Sequence, residues 1–338
     1  MERDMPTYGS TNRKTGQPGL SLRSAVNILT IGLVVMSYGC TPQYEPMRVE
    51  ASDGVNEYTL ATKAKGSSYV TVLTKAATPE SLSISFEGKG EALAIGPDGR
   101  LLAVALSSTS ARGSRIALVC PESLCELRSI PIAGEDTGIV DGTYSPSPQR
   151  IDRLVLSGNS ANLAAYYWKP SQRGHISVIA VWDTTTGRQL HELALPEPPP
   201  SVQAQGCAEN VSDMTFSHRA TYFAASGAWS IKRPDTDQPD GFVRVWRLAD
   251  GKEVSTFRPA GARFVRSLCF DREANKLAGW HWGSRQGERL VIVWSLPKGG
   301  QVCKKAVGSK VRSIVWSISD EGFTIRTDGG EPVLIPSK

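Results

Sequence analysis

The sequence contains an internal repeat, and this repeat constrains the fold more than any other feature. Four segments share one order of residues. Each begins with an apolar residue, two free positions that any residue can fill, an apolar residue, a third free position and another apolar residue. Ser or Asp, a polar turn and a second apolar run follow. The four segments begin at Ile151, Val211, Val265 and Val311, and a weaker copy begins at Ala92. Apolar alternation interrupted by turn residues predicts two antiparallel strands joined by a tight turn in each copy.

A second pattern follows most copies of the first. It is an apolar strand that ends in Trp182, Trp246 or Trp294, followed by a turn with Gly and another strand. Segments 69–84 and 115–130 occupy the same place without the Trp. Two hairpins per unit predict a four-stranded sheet, and such sheets must stack because one sheet alone cannot bury both faces. Since the three Trp residues recur with the repeat, we predict that they pack in the core.

The units resemble WD40 repeats. The resemblance covers roughly residues 68–338 and is carried by the first turn Pro97-Asp98-Gly99 and by Val181-Trp182-Asp183 at the end of a third strand. It implies an all-β fold, a β-propeller of four-stranded blades. Counting units predicts five blades, with the N-terminal strands joining the C-terminal blade and so removing exposed sheet edges. Six blades are the alternative, if residues 55–91 hold a blade of their own.

The N-terminus resembles a targeting segment. A polar, slightly basic lead precedes the apolar run Ala25–Met36, and small residues follow it. This order predicts a signal peptide over residues 1–39. The apolar run is shorter than the roughly 20 residues that a membrane-spanning helix needs. We therefore expect an exported protein, with an uncleaved anchor as the alternative.

Cys40 directly follows Gly39, an arrangement that resembles a lipobox. The resemblance implies that Cys40 is lipidated and anchors the protein to the membrane of the cell envelope. Thr41 implies sorting to the outer membrane in a Gram-negative cell. Cleavage without lipidation is the alternative. The sequence predicts the lipidated Cys and a tether over residues 40–54, and the propeller over residues 55–338.

Cys120 and Cys125 flank the turn CPESLC at facing positions of a hairpin. Facing positions can meet disulfide distances, and an exported protein reaches an oxidising compartment. We therefore predict a disulfide between them, with two free thiols as the alternative. No metal site is expected, because two thiolates lack two further ligands. Cys269 is predicted as a small core residue, and Cys207 and Cys303 remain unassigned.

The loops between the second and third strands share one composition, in which Trp is followed by basic residues. In WD40 propellers these loops face one side, together with the start of each innermost strand. The resulting candidate ligand residues, called the Trp/Arg set below, are Trp168, Lys169, Arg173, Trp229, Lys232, Arg233, Trp282, Arg285, Arg266 and Arg312. Trp offers a flat apolar face with one donor, and Arg binds carboxylate or phosphate with two hydrogen bonds. The alternative is that these Trp residues pack between blades and the basic residues are solvated surface.

The remaining features narrow the function class. A formal net charge of +5 is too weak to predict nucleic-acid binding, and no cofactor, metal or Gly-rich phosphate motif occurs. The sequence therefore predicts a non-enzymatic, envelope-anchored scaffold that binds a protein or peptide. A cell-wall or glycan binder is one alternative. A propeller hydrolase is another, with His281 and either Asp235 or Asp237 as its acid–base groups.

Overall fold

The computed structural model describes most of the chain after residue 47. The described ranges are 48–52, 56–65, 68–76, 81–107, 113–132, 150–171, 174–195, 209–229, 241–259, 264–282, 288–297, 299–308, 310–317, 322–328 and 330–336. Side chains are not described at 48–52, 169–171, 174, 175, 209 and 229. All of these residues belong to the unit Tyr44–Lys338. The predicted signal peptide and Cys40 lie outside the described residues.

The described residues form 23 strands in six antiparallel sheets. Sheet 1 contains β1 (Arg48–Ser52), β2 (Glu57–Lys65), β3 (Ser68–Ala76) and β4 (Leu82–Glu87). Sheet 2 contains β5 (Lys89–Ile95), β6 (Leu102–Ser107), β7 (Ser114–Val119) and β8 (Glu126–Ile132). Sheet 3 contains β9 (Ile151–Leu156), β10 (Asn162–Ser171), β11 (Gly174–Asp183) and β12 (Gln189–Leu193).

The other three sheets follow the same plan. Sheet 4 contains β13 (Glu209–Phe216), β14 (Tyr222–Trp229), β15 (Gly241–Arg247) and β16 (Glu253–Phe257). Sheet 5 contains β17 (Arg266–Phe270), β18 (Lys276–Trp282), β19 (Arg289–Ser295) and β20 (Gln301–Val307). Sheet 6 contains β21 (Val311–Ser317), β22 (Gly322–Thr327) and β23 (Val333–Pro336). No described residue forms a helix with the length and apolar character that crossing a membrane requires.

Within each sheet, every strand pairs with the next one along the chain, as the repeat predicts. The first strands of consecutive sheets contact one another, from β1 with β5 through to β17 with β21. The first strand of each sheet is therefore its innermost strand. The term innermost strands refers below to β1, β5, β9, β13, β17 and β21. Residues at the start of these strands lie at one end of the common centre, and residues at their finish lie at the other end.

Of the two blade counts that the sequence leaves open, six matches the number of sheets. The N-terminal strands do not complete the last sheet, because β1–β4 pair with one another. Leu60, Leu73 and Phe86 of sheet 1 pack in one cluster with Leu102 and Val104 of sheet 2, so sheet 1 buries its own apolar face. β1 lies within the segment predicted as a tether, and the first sheet therefore begins before residue 55.

The core lies between adjacent sheets. Trp182, Trp246 and Trp294 are at most 3% exposed, which confirms their predicted packing role. Trp294 of sheet 5 stacks on Phe257 of sheet 4, with ring centroids 5.2 Å apart and planes inclined by 14°. Such contacts bury aromatic area that no single sheet could cover.

The first turn of four sheets is the same hydrogen-bonded loop. In each, the third turn residue donates its N–H to the carbonyl three residues earlier, as Ser160 does to Ser157 at 2.8 Å. This position is left-handed, with φ of 66° at Gly99, 55° at Ser160, 52° at Ala220 and 58° at Ala274. Glycine is the residue that adopts this conformation without a steric cost, and only the turn of sheet 2 uses it.

Five innermost strands carry a β-bulge at the same level. The pairing with the second strand shifts at Glu91 in β5, Asp152 in β9, Ser212 in β13 and Arg312 in β21, and just after Arg266 in β17. A bulge adds one residue to one strand and changes the direction of its side chain. These five residues are called the bulge residues below because they lie at the same level, although Arg266 itself still pairs with Trp280. Four of them hold the first free position of the repeat, and Glu91 directly precedes Ala92.

Candidate functional site

The bulge residues differ in charge from sheet to sheet. Sheets 2 and 3 carry Glu91 and Asp152, sheet 4 carries Ser212, and sheets 5 and 6 carry Arg266 and Arg312. A cavity of about 190 Å³ lies at this level between sheets 2, 3 and 4. The bulge end of the centre is therefore polar, with an acidic side and a basic side.

The two acidic bulge residues are neutralised by their own neighbours. Glu91 accepts hydrogen bonds from Ser107 Oγ at 2.8 Å and Lys89 Nζ at 3.0 Å, and its side chain is only 6% exposed. Asp152 forms an ion pair with Arg150, with 2.5 Å between Oδ1 and Nε. Neither carboxylate is free to attract a ligand cation.

Trp168 belongs to this structural pairing. Its Nε1 donates to Asp152 Oδ2 at 2.7 Å, and its ring meets that of Tyr166 edge-on with centroids 6.0 Å apart. The half-buried indole packs against the core cluster between sheets 3 and 4. For Trp168 the packing alternative therefore describes the observed contacts better than an open ligand surface.

Polar side chains beside the bulges tie one sheet to the next. Ser212 Oγ donates to the Val265 carbonyl of sheet 5 at 2.7 Å. Asp213 Oδ2 accepts the N–H of Leu268 at 2.6 Å, again from sheet 4 to sheet 5. Arg153 Nε makes the same kind of bond from sheet 3 to the Val211 carbonyl of sheet 4 at 3.0 Å. Sequence analysis missed these residues, although they fill the free positions of the repeat.

Burial raises the pKa of the Asp213 carboxyl, and the backbone N–H groups of Leu268 and Met214 oppose that rise. The carboxyl oxygens are already used as acceptors by these two amides, at 2.6 and 2.9 Å. Asp213 is therefore a structural acceptor between sheets.

The basic side presents a stack of cations on an indole. Two guanidinium groups lie over the Trp282 ring, with Arg266 Cζ 4.9 Å and Arg289 Cζ 5.2 Å from the ring centroid. Trp280 meets Trp282 edge-on at 5.0 Å and donates from Nε1 to Ser267 Oγ at 3.2 Å. Each cation–π contact contributes about 0.5–1 kcal/mol when exposed. Arg266, Trp282 and Arg289 are called the Arg–Trp stack below.

Arg312 of sheet 6 occupies the equivalent position to Arg266 and is also exposed. It forms an ion pair with Asp328, which Lys310 Nζ also approaches at 3.5 Å. Hydrogen bonding from Arg312 lowers the pKa of the Asp328 carboxyl. The single carboxylate of Asp328 thus interacts with both Arg312 and Lys310, and the basic side keeps a net positive charge.

His281 lies directly before Trp282 but is only 1% exposed. Its Nδ1 lies 2.7 Å from the Trp282 carbonyl, and since a carbonyl only accepts, Nδ1 carries the hydrogen. Nε2 is buried and finds no hydrogen-bond partner within the described ranges. Burial lowers the pKa of His281, so the ring is neutral and closed off from a substrate.

Solved structures with the same arrangement of sheets decide the fold. The β-propeller domain of the Trilobed protease from Pyrococcus furiosus matches with a TM-score of 0.52 and 13% identity, covering 88% of this chain and 85% of that chain. The Dos1 propeller matches with a TM-score of 0.53 and 13% identity, covering 84% of this chain and 64% of that one. The chain is a β-propeller. Each sheet is therefore called a blade below.

The propeller also matches an acylaminoacyl peptidase from Pyrococcus horikoshii, with a TM-score of 0.52 and 11% identity over 88% of this chain and 47% of that one. Identities this low establish the fold and nothing more. No protein-family model matches the sequence, and no curated protein matches it.

The rest of the Trp/Arg set is only partly described. Trp229 ends β14 one register position beyond the equivalent of Trp168 and Trp282, and that equivalent is Ala228. Lys169 lies on β10, and its side chain, like that of Trp229, is not described. The positions outside the described residues are Arg173, Lys232, Arg233, Arg285, Asp235 and Asp237. Of the predicted set, the structure brings together Arg266 and Trp282 and adds Arg289.

The opposite end of the propeller centre is mainly apolar, although His218, Asp271 and Arg272 also line it. A cavity of about 330 Å³ is lined by the last residues of the innermost strands and by the first turns, including Val155, Phe216, Phe270 and Trp316. Cys269 also lines it, and burial raises the pKa of its thiol to about 12. Its neutral, half-buried thiol agrees with the core role predicted for Cys269.

Cys120 and Cys125 are free thiols in the structure. The disulfide that the sequence predicts is therefore not formed there. The turn between them does place the two residues opposite each other, with Cys120 N–H donating to the Cys125 carbonyl at 2.9 Å. The Cys125 sulfur lies 3.0 Å from Ser123 Oγ instead.

Among the described residues, no group of three or more His, Cys, Asp or Glu side chains is arranged to hold a metal ion.

Proposed function

We propose that the propeller is a non-enzymatic binding scaffold of the cell envelope, and that the basic side of its bulge end takes a protein or peptide with anionic groups. The observation that carries this proposal is the exposed Arg266 guanidinium stacked on Trp282. A planar cation held on an aromatic face keeps its hydrogen-bond donors directed outward and loses little entropy on binding a carboxylate.

The difference in charge between the blades supports a preference for anions on this side. Arg266 forms no ion pair with any carboxylate that the structure describes, whereas Glu91 and Asp152 on the other side are already paired. Arg312 lies on the neighbouring blade at the equivalent position. Arg266, together with the excess positive charge that Arg312 and Lys310 keep around Asp328, favours a ligand with more than one carboxylate, such as an acidic peptide segment.

The two alternatives have less support. A hydrolase based on His281 would need a ring that reaches substrate, and this ring is 1% exposed. A glycan with acidic groups fits the same cations, and only its binding chemistry separates it from a peptide. Attachment to the envelope rests on Gly39-Cys40 and is part of the proposal.

The ligand proposal is tested with a fluorescein-labelled peptide rich in Asp and Glu, whose binding is measured by anisotropy. We expect Arg266→Ala to weaken binding about tenfold, the loss expected for a charge-assisted hydrogen bond. Arg272→Ala is the matched control, because Arg272 is exposed in the first turn at the opposite end of the same strand. Equal losses in both variants would show a general charge effect and would contradict the site.

Cell-wall fragments form the second arm of the same experiment. If purified fragments bind more tightly than the peptide and Arg266→Ala removes that binding, the glycan alternative replaces the peptide. The anchor is tested separately with Cys40→Ser in a bacterial host. We expect the variant to leave the membrane fraction, and a variant that stays with the membrane contradicts lipidation.

A further inference from the structure

The turn between β7 and β8 in blade 2 holds its two cysteines in a facing pair. Cys120 N–H donates to the Cys125 carbonyl at 2.9 Å, and Leu124 N–H donates back to the Cys120 carbonyl at 2.9 Å. Leu124 is left-handed, with φ of 48°, which reverses the chain within four residues. Because one backbone hydrogen bond joins Cys120 to Cys125, we expect their Cα atoms at the roughly 4.5–5.5 Å of facing residues in antiparallel strands, inside the roughly 4.4–6.8 Å that a disulfide spans.

The hydroxyl of Ser123 lies beside the Cys125 sulfur, with 3.0 Å between Oγ and Sγ. Hydrogen bonding from the Ser123 side chain and from backbone N–H groups of the turn lowers the pKa of the Cys120 thiol. More of the Cys120 thiol is therefore present as thiolate, the reacting form, than in an ordinary thiol.

The rest of the molecule holds this turn in place. Leu124 is 4% exposed and packs in the cluster between blades 1 and 2. Lys75 Nζ of blade 1 donates to the Pro121 carbonyl at 3.2 Å. Because these contacts hold the backbone of the turn against blade 1, we expect side-chain rotation to bring the Cys125 sulfur toward Cys120.

We propose that Cys120 and Cys125 are a redox-active thiol pair that a small disulfide, such as glutathione disulfide, converts into an intramolecular disulfide. The Cys120 thiolate attacks one sulfur of the oxidant, whose sulfur–sulfur bond breaks and whose other half leaves as a thiolate. The Cys125 thiolate then attacks Cys120 in the mixed disulfide and releases the second half. The two cysteines lose two electrons and two protons, and the oxidant becomes two thiols.

The other described cysteines lack these features. Cys269 is half-buried, and its pKa is raised to about 12 by burial. Cys303 lies on β20 opposite Val293, so no thiol faces it in the ladder. The inference therefore assigns the reaction to one pair.

The test uses the full chain, reduced and then exposed to glutathione disulfide at pH 7, with peptide mapping by mass spectrometry. We expect a Cys120–Cys125 linked peptide that is lighter by about 2 Da than the two thiols. Cys125→Ser should instead accumulate a glutathione adduct on Cys120, because the second attack is removed. Ser123→Ala should slow the first attack about two- to threefold, since less thiolate is present.

Cys303→Ser is the matched control and should oxidise like the wild-type chain. Two results would overturn the proposal. One is a folded chain that stays reduced under conditions in which the urea-unfolded chain forms the 120–125 link. The other is a Cys120→Ser variant that forms its glutathione adduct as fast as Cys125→Ser, which would remove the assigned order of attack.

Discussion

The two ends of the propeller centre are built from the same innermost strands but differ in chemistry. The bulge end carries Glu91, Asp152 and Arg266, whereas the far end is lined by Phe216 and Phe270. Along each strand, the positions that the repeat fixes as apolar pack between blades, and its two free positions vary in charge. The two ends therefore join neighbouring blades in different ways, by apolar packing at the far end and also by polar side chains such as Ser212 and Asp213 at the bulge end.

The largest expected effect is at the far end. Phe270 is 5% exposed in the cluster between blades 4 and 5. Phe270→Ala should lower the free energy of unfolding by about 3–5 kcal/mol, because it removes a buried ring and leaves a cavity. Urea unfolding followed by fluorescence measures this loss. Arg266→Ala, on the same strand, should leave the urea midpoint of unfolding nearly unchanged. Similar losses of unfolding free energy in the two variants would contradict the proposed difference between the two ends.

A smaller loss of unfolding free energy is expected at the bulge end, where Asp213 joins blades 4 and 5. Asp213→Ala leaves the N–H groups of Leu268 and Met214 without their acceptor and should cost about 2 kcal/mol of unfolding free energy. The exposed Glu273 provides the control substitution, Glu273→Ala. If both variants unfold at the same urea concentration, Asp213 does not hold blades 4 and 5 together.

The smallest effect expected is a pH dependence from His281. Its pKa is lowered in the folded state, so the unfolded chain takes up the proton first as the pH falls below about 6.5. The stability that neutral His281 contributes is complete above that pH and is lost as the pH falls toward the folded pKa, by at most about 1.4 kcal/mol per pH unit.

The difference in unfolding free energy between wild type and His281→Gln should therefore shrink from pH 7 to pH 5. His218→Gln, at an exposed histidine of the far end, provides the control. A wild-type and His281→Gln difference that is independent of pH would show that this ring does not titrate in the unfolding reaction.

Much of the fold could be predicted because the repeat combines alternation with turn chemistry. Trp182, Trp246 and Trp294 mark equivalent strands, and each proved to be buried. Blade 1 was harder to recognise, since Leu73 stands where blades 3, 4 and 5 have Trp and β1 and β2 do not follow the repeat. Its burial against blade 2 depends on tertiary packing, which no local pattern expresses.

The candidate site could be predicted only in part. Arg266 and Trp282 were identified from composition, but Arg289 was not, because cation–π stacking depends on the β18–β19 pairing rather than on sequence proximity. Trp168 was read as a ligand residue, whereas its hydrogen bond to Asp152 ties β10 to β9. A bulge shifts the register by one residue, and alternation alone does not reveal where that happens.

Ser160, Ala220 and Ala274 adopt a left-handed backbone conformation in their turns, and this lowers the stability of the folded protein. Each side chain in that conformation costs about 1–2 kcal/mol relative to a right-handed one, and Gly99 shows that the loop accepts glycine. Of the three glycine replacements, Ala220→Gly is the one expected to raise stability, because Ser160 Oγ donates to Asp98 Oδ1 at 2.5 Å and Ala274 is buried in the cluster between blades 4 and 5. None of the three would alter a residue of the Arg–Trp stack or of the cysteine pair.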